Sequence, residues 1–339
     1  MRLPLFSSKS LGIDLGTANS RVWSKGAGVV LTEASVVAID DESGRVVAVG
    51  SEAYELLGRT GTNLVAQKPL SEGVVADFLV AEAMLRHFID RVLGTSRLMR
   101  PEVMVCVPAG VTQVERRAVL EAALAAGARR AYLIEHTLAA AIGANLPIDT
   151  PVGSMIVDIG AGQVGAAVIS MGGIVAAATA RGGGNRIDEA IVVWIRKNHN
   201  LVIGERMAED IKIKIGSATA LAPKKAIEAR GRDAIFGLPK SVTVDSVEIT
   251  QAIGSALAPI ITCIKQVLEQ IPPELASDII DRGIVLCGGT SQLRNLDRLI
   301  ASQTGVPVSV AENPQECVIY GCGGALENIG TWRRLVAVR

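Results

Sequence analysis

Residues 157–170 read VDIGAGQVGAAVIS, and residues 12–20 read GIDLGTANS. Each is an apolar approach, then Asp, an apolar residue and Gly, then a turn of small residues leading into a second strand-like run. Glycine in such a turn lets the backbone come close to a ligand and take positive φ. Successive N–H groups there form a concave anion site, and an Asp just before the turn can hold a hydrated Mg²⁺. One such turn signals no more than a hairpin. Two of them, with Asp14 and Asp158 144 residues apart, signal a duplicated α/β unit, because the period is far too long for a solenoid. Facing each other, the hairpins would clamp the phosphates of one nucleotide from both sides. The second turn lacks the hydroxyls that Thr17 and Ser20 supply in the first.

The rest of the chain fits a soluble α/β protein. Its 339 residues are 49% apolar and 20% charged, with 34 Lys+Arg against 34 Asp+Glu. That balance provides large cores and no net field for nucleic acid. Five cysteines without a CxxC pair read as small buried hydrophobes, and three scattered histidines do not suggest zinc. Residues 159–180 carry no charge, but the glycines between them divide the run into three buried strands rather than a membrane span. Before the second turn, strands are expected at 36–39, 46–49, 103–107 and 132–134. A helix is expected where Phe78, Leu85, Phe88 and Val92 recur at helical spacing. Thr112-Gln-Val-Glu115 is a capping box for another. Further on, residues 187–197, 205–215 and 247–271 read as helices. A strand at 284–286 runs into Cys287-Gly-Gly-Thr290, with a helix expected from Ser291. Two five-stranded α/β domains follow, 1–145 and 146–330. Each carries a small insert, at about 31–75 and 181–245, and 331–339 is left as a tail.

These residues resemble the bacterial actin family, and its MreB-like cell-shape branch in particular. The phrases that carry the likeness include LGIDLGTANSRVW, LTEASVVAI, VMVCVPAGVTQVERRAV, IGERMAEDIKIKIGSA and PPELASDIIDRGIVLCGG. The resemblance implies the duplicated actin-like fold shared with heat-shock ATPases and sugar kinases, with ATP or ADP (GTP as the alternative) and Mg²⁺ in the cleft. Gly16, Thr17, Ala18 and Asn19 would form the first phosphate loop, with Asp14 on a metal-bound water. Gly160, Ala161, Gly162 and Gln163 would form the second, after Asp158. Glu209 and Lys212, three apart on one helix face, would hold the ribose and base, and Gly288, Gly289 and Thr290 the adenosine end. It also implies head-to-tail filaments at the inner face of the cell membrane, with cell-shape membrane proteins as partners. Leu98 and Met99, flanked by Arg97 and Arg100, match an apolar loop that enters the bilayer in related proteins. The competing expectation is a soluble ATPase or kinase of the same superfamily.

The sequence departs from the family at the hydrolytic end. The family continues its second loop Gly-Gly-Gly-Thr-Thr-Glu, whereas this chain has Gly160-Ala-Gly-Gln163-Val164-Gly165. The family's water-orienting Glu before Pro becomes His136 before Thr137, and its Gly-Asp becomes Gly184-Asn185. Asp158 and His136 are the candidate catalytic residues. Weakened hydrolysis is the expectation, although a neutral imidazole can itself act as a base.

Overall fold

The computed structural model describes residues 10–56, 64–68, 70–71, 74–75, 78–94, 100–332 and 337–338. The first hairpin, Ser10–Asp14 and Asn19–Ser24, extends antiparallel to Gly28–Ala34 on one side. On the other side Ser10–Asp14 runs parallel to Glu102–Val107, which runs parallel to Arg130–Glu135. The second half repeats the pattern: Ser154–Ile159, Gln163–Ser170 and Gly173–Arg181 form a meander. Ser154–Ile159 also pairs in parallel with Ile284–Cys287, and that strand with Val308–Val310. The uncharged run is therefore three strands of a sheet. In both sheets the first strand is interior and its apolar residues, Leu11, Ile13, Met155, Ile156, Val157 and Ile159, are buried, as suits a strand covered on both faces.

Two expectations need correction. The first sheet has six strands, because Ala337–Val338 pairs antiparallel with Tyr132 and Leu133. Ala337 and Val338 thus cover backbone groups that an edge strand would leave unpaired. The helix expected from Ser291 is only a 3₁₀ turn, Gly289–Gln292. The α-helix proper, Leu296–Thr304, follows Asn295, whose φ of 57° cannot continue a right-handed helix. The strand Gly28–Ala34 went unread, since the preceding Lys25-Gly26-Ala27 hides it as a loop.

Two helices join the halves beneath the cleft: His136–Gly143 and Cys317–Glu327. They touch through backbone, since a Cβ on Gly143 would lie 1.8 Å from the Cys317 carbonyl oxygen and one on Gly321 1.7 Å from that of Ala139. Their apolar faces share one core with Met104 and Cys106 of the first sheet and Ile156 and Ala167 of the second. All five cysteines are free and buried. The inserts are small sheets: Val46–Val49, Val37–Asp40 and Leu64–Gln67 in one, Leu201–Val202, Ala226–Asp233 and Pro239–Asp245 in the other. Ser246–Gln270 is long and apolar enough to cross a membrane, but it packs against Gln163–Ser170 and Gly173–Arg181 and buries Ile249, Ile253, Leu257, Ile260 and Ile264 in the second core.

Candidate functional site

Each hairpin turn ends a buried strand with an aspartate, and the fold brings the two turns into contact. A Cβ on Gly162 would lie 2.4 Å from Thr17 Oγ1, so the loops interlock and only glycine fits there. Gly16 is constrained in another way. It lacks the positive φ expected of it, but a Cβ would sit 2.3 Å from the Asn19 carbonyl oxygen. The turn is closed by steric crowding and not by left-handed backbone.

The second loop is held from behind by the start of the helix Gly183–His199. The N–H groups of Gly184, Asn185 and Gly182 donate to the carbonyls of Gly160, Ala161 and Gly162 at 3.0, 2.8 and 2.8 Å. Thr290 Oγ1 donates to the Gly160 carbonyl at 2.9 Å, tying the Gly288–Thr290 turn to the same loop. The Gly160 N–H closes the turn on the Gln163 carbonyl at 2.9 Å, which leaves the N–H groups of Ala161 and Gly162, with small side chains, on the cavity wall. That is the chemistry of an anion cradle.

Asp14, Asp158 and His136 make the floor. The carboxylates are 5% and 7% exposed. His136 opens the helix His136–Gly143 and stands between them, Nε2 3.7 Å from Asp14 Oδ1 and Nδ1 3.5 Å from Asp158 Oδ2. Burial disfavours the imidazolium, but the hydrogen bond to Asp158 and the charges of Asp14 and Asp158 outweigh it. Its pKa is raised above the ordinary histidine value. Burial likewise raises the pKa of Asp14, against the pull of His136 and Arg21. Asp14 Oδ1 and His136 Nε2 are buried without a hydrogen-bond partner among the described residues. Two buried carboxylates, one with an orphaned oxygen, fit a hydrated Mg²⁺, for which hard oxygen donors are suited. Glu135, the neighbouring acid, turns away to accept from Arg116 at 2.6 Å.

Glu209 and Lys212 lie on the helix Glu205–Ile215. Lys212 Nζ donates to Asp188 Oδ2 at 2.7 Å. Burial raises the Asp188 pKa to about 6 even though Lys212 opposes the shift.

Every candidate cleft residue named from sequence lines one cavity of about 450 Å³: Asp14, Gly16 to Asn19, His136, Asp158, Gly160 to Gln163, Glu209, Lys212 and Gly288 to Thr290. That volume lies in the ~300–1,000 Å³ range of small-molecule sites. Leu98 and Met99 lie outside the described residues. Ser20 is misassigned: its hydroxyl meets that of Ser35 at 2.8 Å, buried on the other face of its strand. The sequence reading also missed Arg21, Asp188 and Gln315. Arg21 faces Asp14 across the hairpin and donates to Gln315 Oε1 at 3.3 Å. Strand pairing about the turn could have exposed it.

With this geometry in place, the relatives can be compared. The family model described as MreB/Mbl protein matches residues 8–334. The cell shape-determining protein MreB of Escherichia coli (strain K12) is 52% identical over 328 residues, 95% of this chain and 94% of that one. The cell shape-determining protein Mbl of Bacillus subtilis (strain 168) is 47% identical over 322 residues, 95% and 97% of the two chains. The crystal structure of MreB5 of Spiroplasma citri bound to ADP superposes with a TM-score of 0.91 at 34% identity, over 97% of this chain and 99% of that one. A MamK double helical filament shares the fold at 24% identity, with a TM-score of 0.79 over 96% and 99%. The chain has the actin-like fold and belongs to the MreB/Mbl family.

Proposed function

We propose that this chain is a nucleotide-binding cytoskeletal protein of the cell-shape type, whose copies assemble head to tail into filaments. One observation carries the reading: two duplicated loops interlock at Thr17 and Gly162 above the paired carboxylates of Asp14 and Asp158. Thr17 to Asn19 and Gly160 to Gly162 cradle the phosphates. Gly288 to Thr290 contact the adenosine, and Glu209 with Lys212 holds the ribose and base. Asp14 and Asp158 are the residues that would hold a hydrated Mg²⁺, which would offset phosphate charge. ADP binding by the Spiroplasma citri relative supports this assignment, and so does the AMPPNP complex of the same protein.

His136 takes the place of the family's water-orienting carboxylate. Held between two acids, it is a poor acceptor for a water proton whenever it is charged, so hydrolysis is slow. Isothermal titration of the full chain with ADP and AMPPNP in Mg²⁺ tests the site, and absent binding refutes it. Sedimentation with ATP tests assembly: a filament protein pellets above a critical concentration, while a soluble ATPase or kinase stays in solution at every concentration. Membrane contact through Leu98 and Met99 rests on sequence alone. Each buried apolar side chain is worth roughly 1.5–3 kcal/mol. Liposome co-sedimentation unaffected by Leu98→Ser with Met99→Ser removes that role.

A further inference from the structure

We propose that Tyr54, Lys68, Glu205 and Arg206 form a clasp across the mouth of the cleft, and that its opening sets the rate at which nucleotide leaves. The inference rests on the nucleotide reading above and adds a gate to it. Tyr54 lies on the helix Ser51–Leu56, and Lys68 directly follows the strand Leu64–Gln67, both in the first half's small insert. Glu205 and Arg206 open the helix Glu205–Ile215 in the second half. The Arg206 guanidinium carbon lies 4.1 Å from the centre of the Tyr54 ring, and Nη2 donates to the Tyr54 carbonyl. Beside it, Lys68 Nζ lies 3.3 Å from Glu205 Oε2. Stacking, hydrogen bond and ion pair thus cross the same gap.

The placement of the clasp gives it consequence. One and two turns further along the same helix come Glu209 and Lys212, which line the inner cavity. Outside that cavity lie two larger spaces of about 1330 and 840 Å³. Lys68, Glu205 and Arg206 line both. The first space shares Thr17 and Gly162 with the inner cavity, and the second shares Ala18, Asn19 and Glu209. The clasp residues thus border both spaces that share walls with the inner cavity. Parting the halves to widen it would separate Tyr54 from Arg206 and Lys68 from Glu205.

The contacts are few and partly exposed, with the Lys68 and Glu205 side chains 35% and 74% accessible. A clasp of this strength opens readily and does not lock the protein. A nucleotide bridging both halves favours the same closed arrangement as the clasp. By linkage, weakening the clasp loosens the nucleotide and nucleotide binding tightens the clasp.

The test is stopped-flow release of a fluorescent ADP analogue from the full chain, chased with excess ADP. Tyr54→Ala and Arg206→Ala each accelerate release about tenfold, the change that about 1.4 kcal/mol produces. Arg206→Lys falls between, because it keeps the charge but loses the planar stacking surface. Lys68→Glu also accelerates release, and adding Glu205→Lys restores most of the wild-type rate. A purely structural role would give no such rescue. Thermal melting confirms that the variants are folded. Unchanged release in folded Tyr54→Ala and Arg206→Ala overturns the clasp. If wild type fails to take up the analogue, the nucleotide reading fails instead. Small-angle scattering of the nucleotide-free chain then decides the clasp: a larger radius of gyration in Tyr54→Ala with Arg206→Ala supports it, and an unchanged radius overturns it.

Discussion

Replacing His136 by Gln would test what balances the charge at the cleft floor. The imidazole nitrogens lie 3.7 and 3.5 Å from the Asp14 and Asp158 carboxylates. At an effective dielectric constant of ~20, a unit pair ~4 Å apart is worth about 4 kcal/mol before desolvation is counted. Desolvation of the three buried groups offsets much of that attraction. What is measured on removing one partner is the larger cost of leaving the others uncompensated, about 3–5 kcal/mol. Gln keeps the polarity and much of the volume of the side chain but supplies no charge.

The pH dependence carries the sign. The folded pKa of His136 is raised above its ordinary value. Its contribution is therefore fully present below the unfolded pKa of about 6.5 and is lost as pH rises through the folded value. Urea denaturation of the full chain, without nucleotide or metal, should give His136→Gln a deficit of several kcal/mol at pH 6. The deficit should shrink at a pH above the folded value, where wild type has lost its imidazolium too. Added Mg²⁺ should recover more stability in the variant than in wild type, because a hydrated divalent cation is the other group able to balance the two carboxylates. A deficit that is equal at both pH values, or absent at pH 6, would refute the reasoning.

The converse change, His136→Glu, brings in the family's carboxylate. It should raise phosphate release from polymerised protein by ~10²-fold or more, the range for a positioned base, and turnover no faster than wild type would rule out weakened hydrolysis. Gly162→Ala should weaken ADP binding by roughly tenfold or more, since a Cβ 2.4 Å from Thr17 Oγ1 must displace Thr17 or push the loops apart; undiminished affinity in calorimetry would count against the interlocked cradle. Asp188 should titrate near 6, the value to which burial raises it. That lies above the unfolded value of about 3.9, so stability falls as pH rises from about 4 to 6, and Asp188→Asn should remove that slope; identical slopes would show that the carboxyl is not buried as described. Gly254→Ala, at an exposed helix position with open space around it, should stabilise the fold by about 0.5–1 kcal/mol in denaturant titration, and a loss of stability would show that space to be occupied.

What could be read from the sequence follows the range of the interactions involved. The turns after Asp14 and Asp158 were legible because glycine spacing and a duplicated period are local patterns. The same holds for the helix Glu205–Ile215, whose bounds the apolar spacing gives directly. Ser20 was misread although the needed rule was at hand: strand side chains alternate, so Asn19 and Ser20 cannot both face the cleft. Arg21 was within reach too, since an antiparallel hairpin sets it beside Asp14.

Other features lie beyond any local pattern. Lys212 could be placed on a helix face, but its partner Asp188 lies a whole helix away and meets it only when the two helices pack. Arg206 meets Tyr54 across 152 residues and two separately folded inserts. Ala337–Val338 finds its pairing strand about 200 residues back in the chain. His136 lies between these cases. The resemblance to the family's motif implies that His136 stands where a carboxylate is expected, but only the fold shows the two aspartates on either side of the imidazole. With a Glu there, three carboxylates would share the floor and a cation would have to offset them. With His136 protonated, the protein would supply a positive charge of its own, and on the proposed reading the floor would depend less on metal. On the proposed reading, speeding the attack of water is a separate task, which the family's carboxylate would perform and a charged imidazole at this place would not.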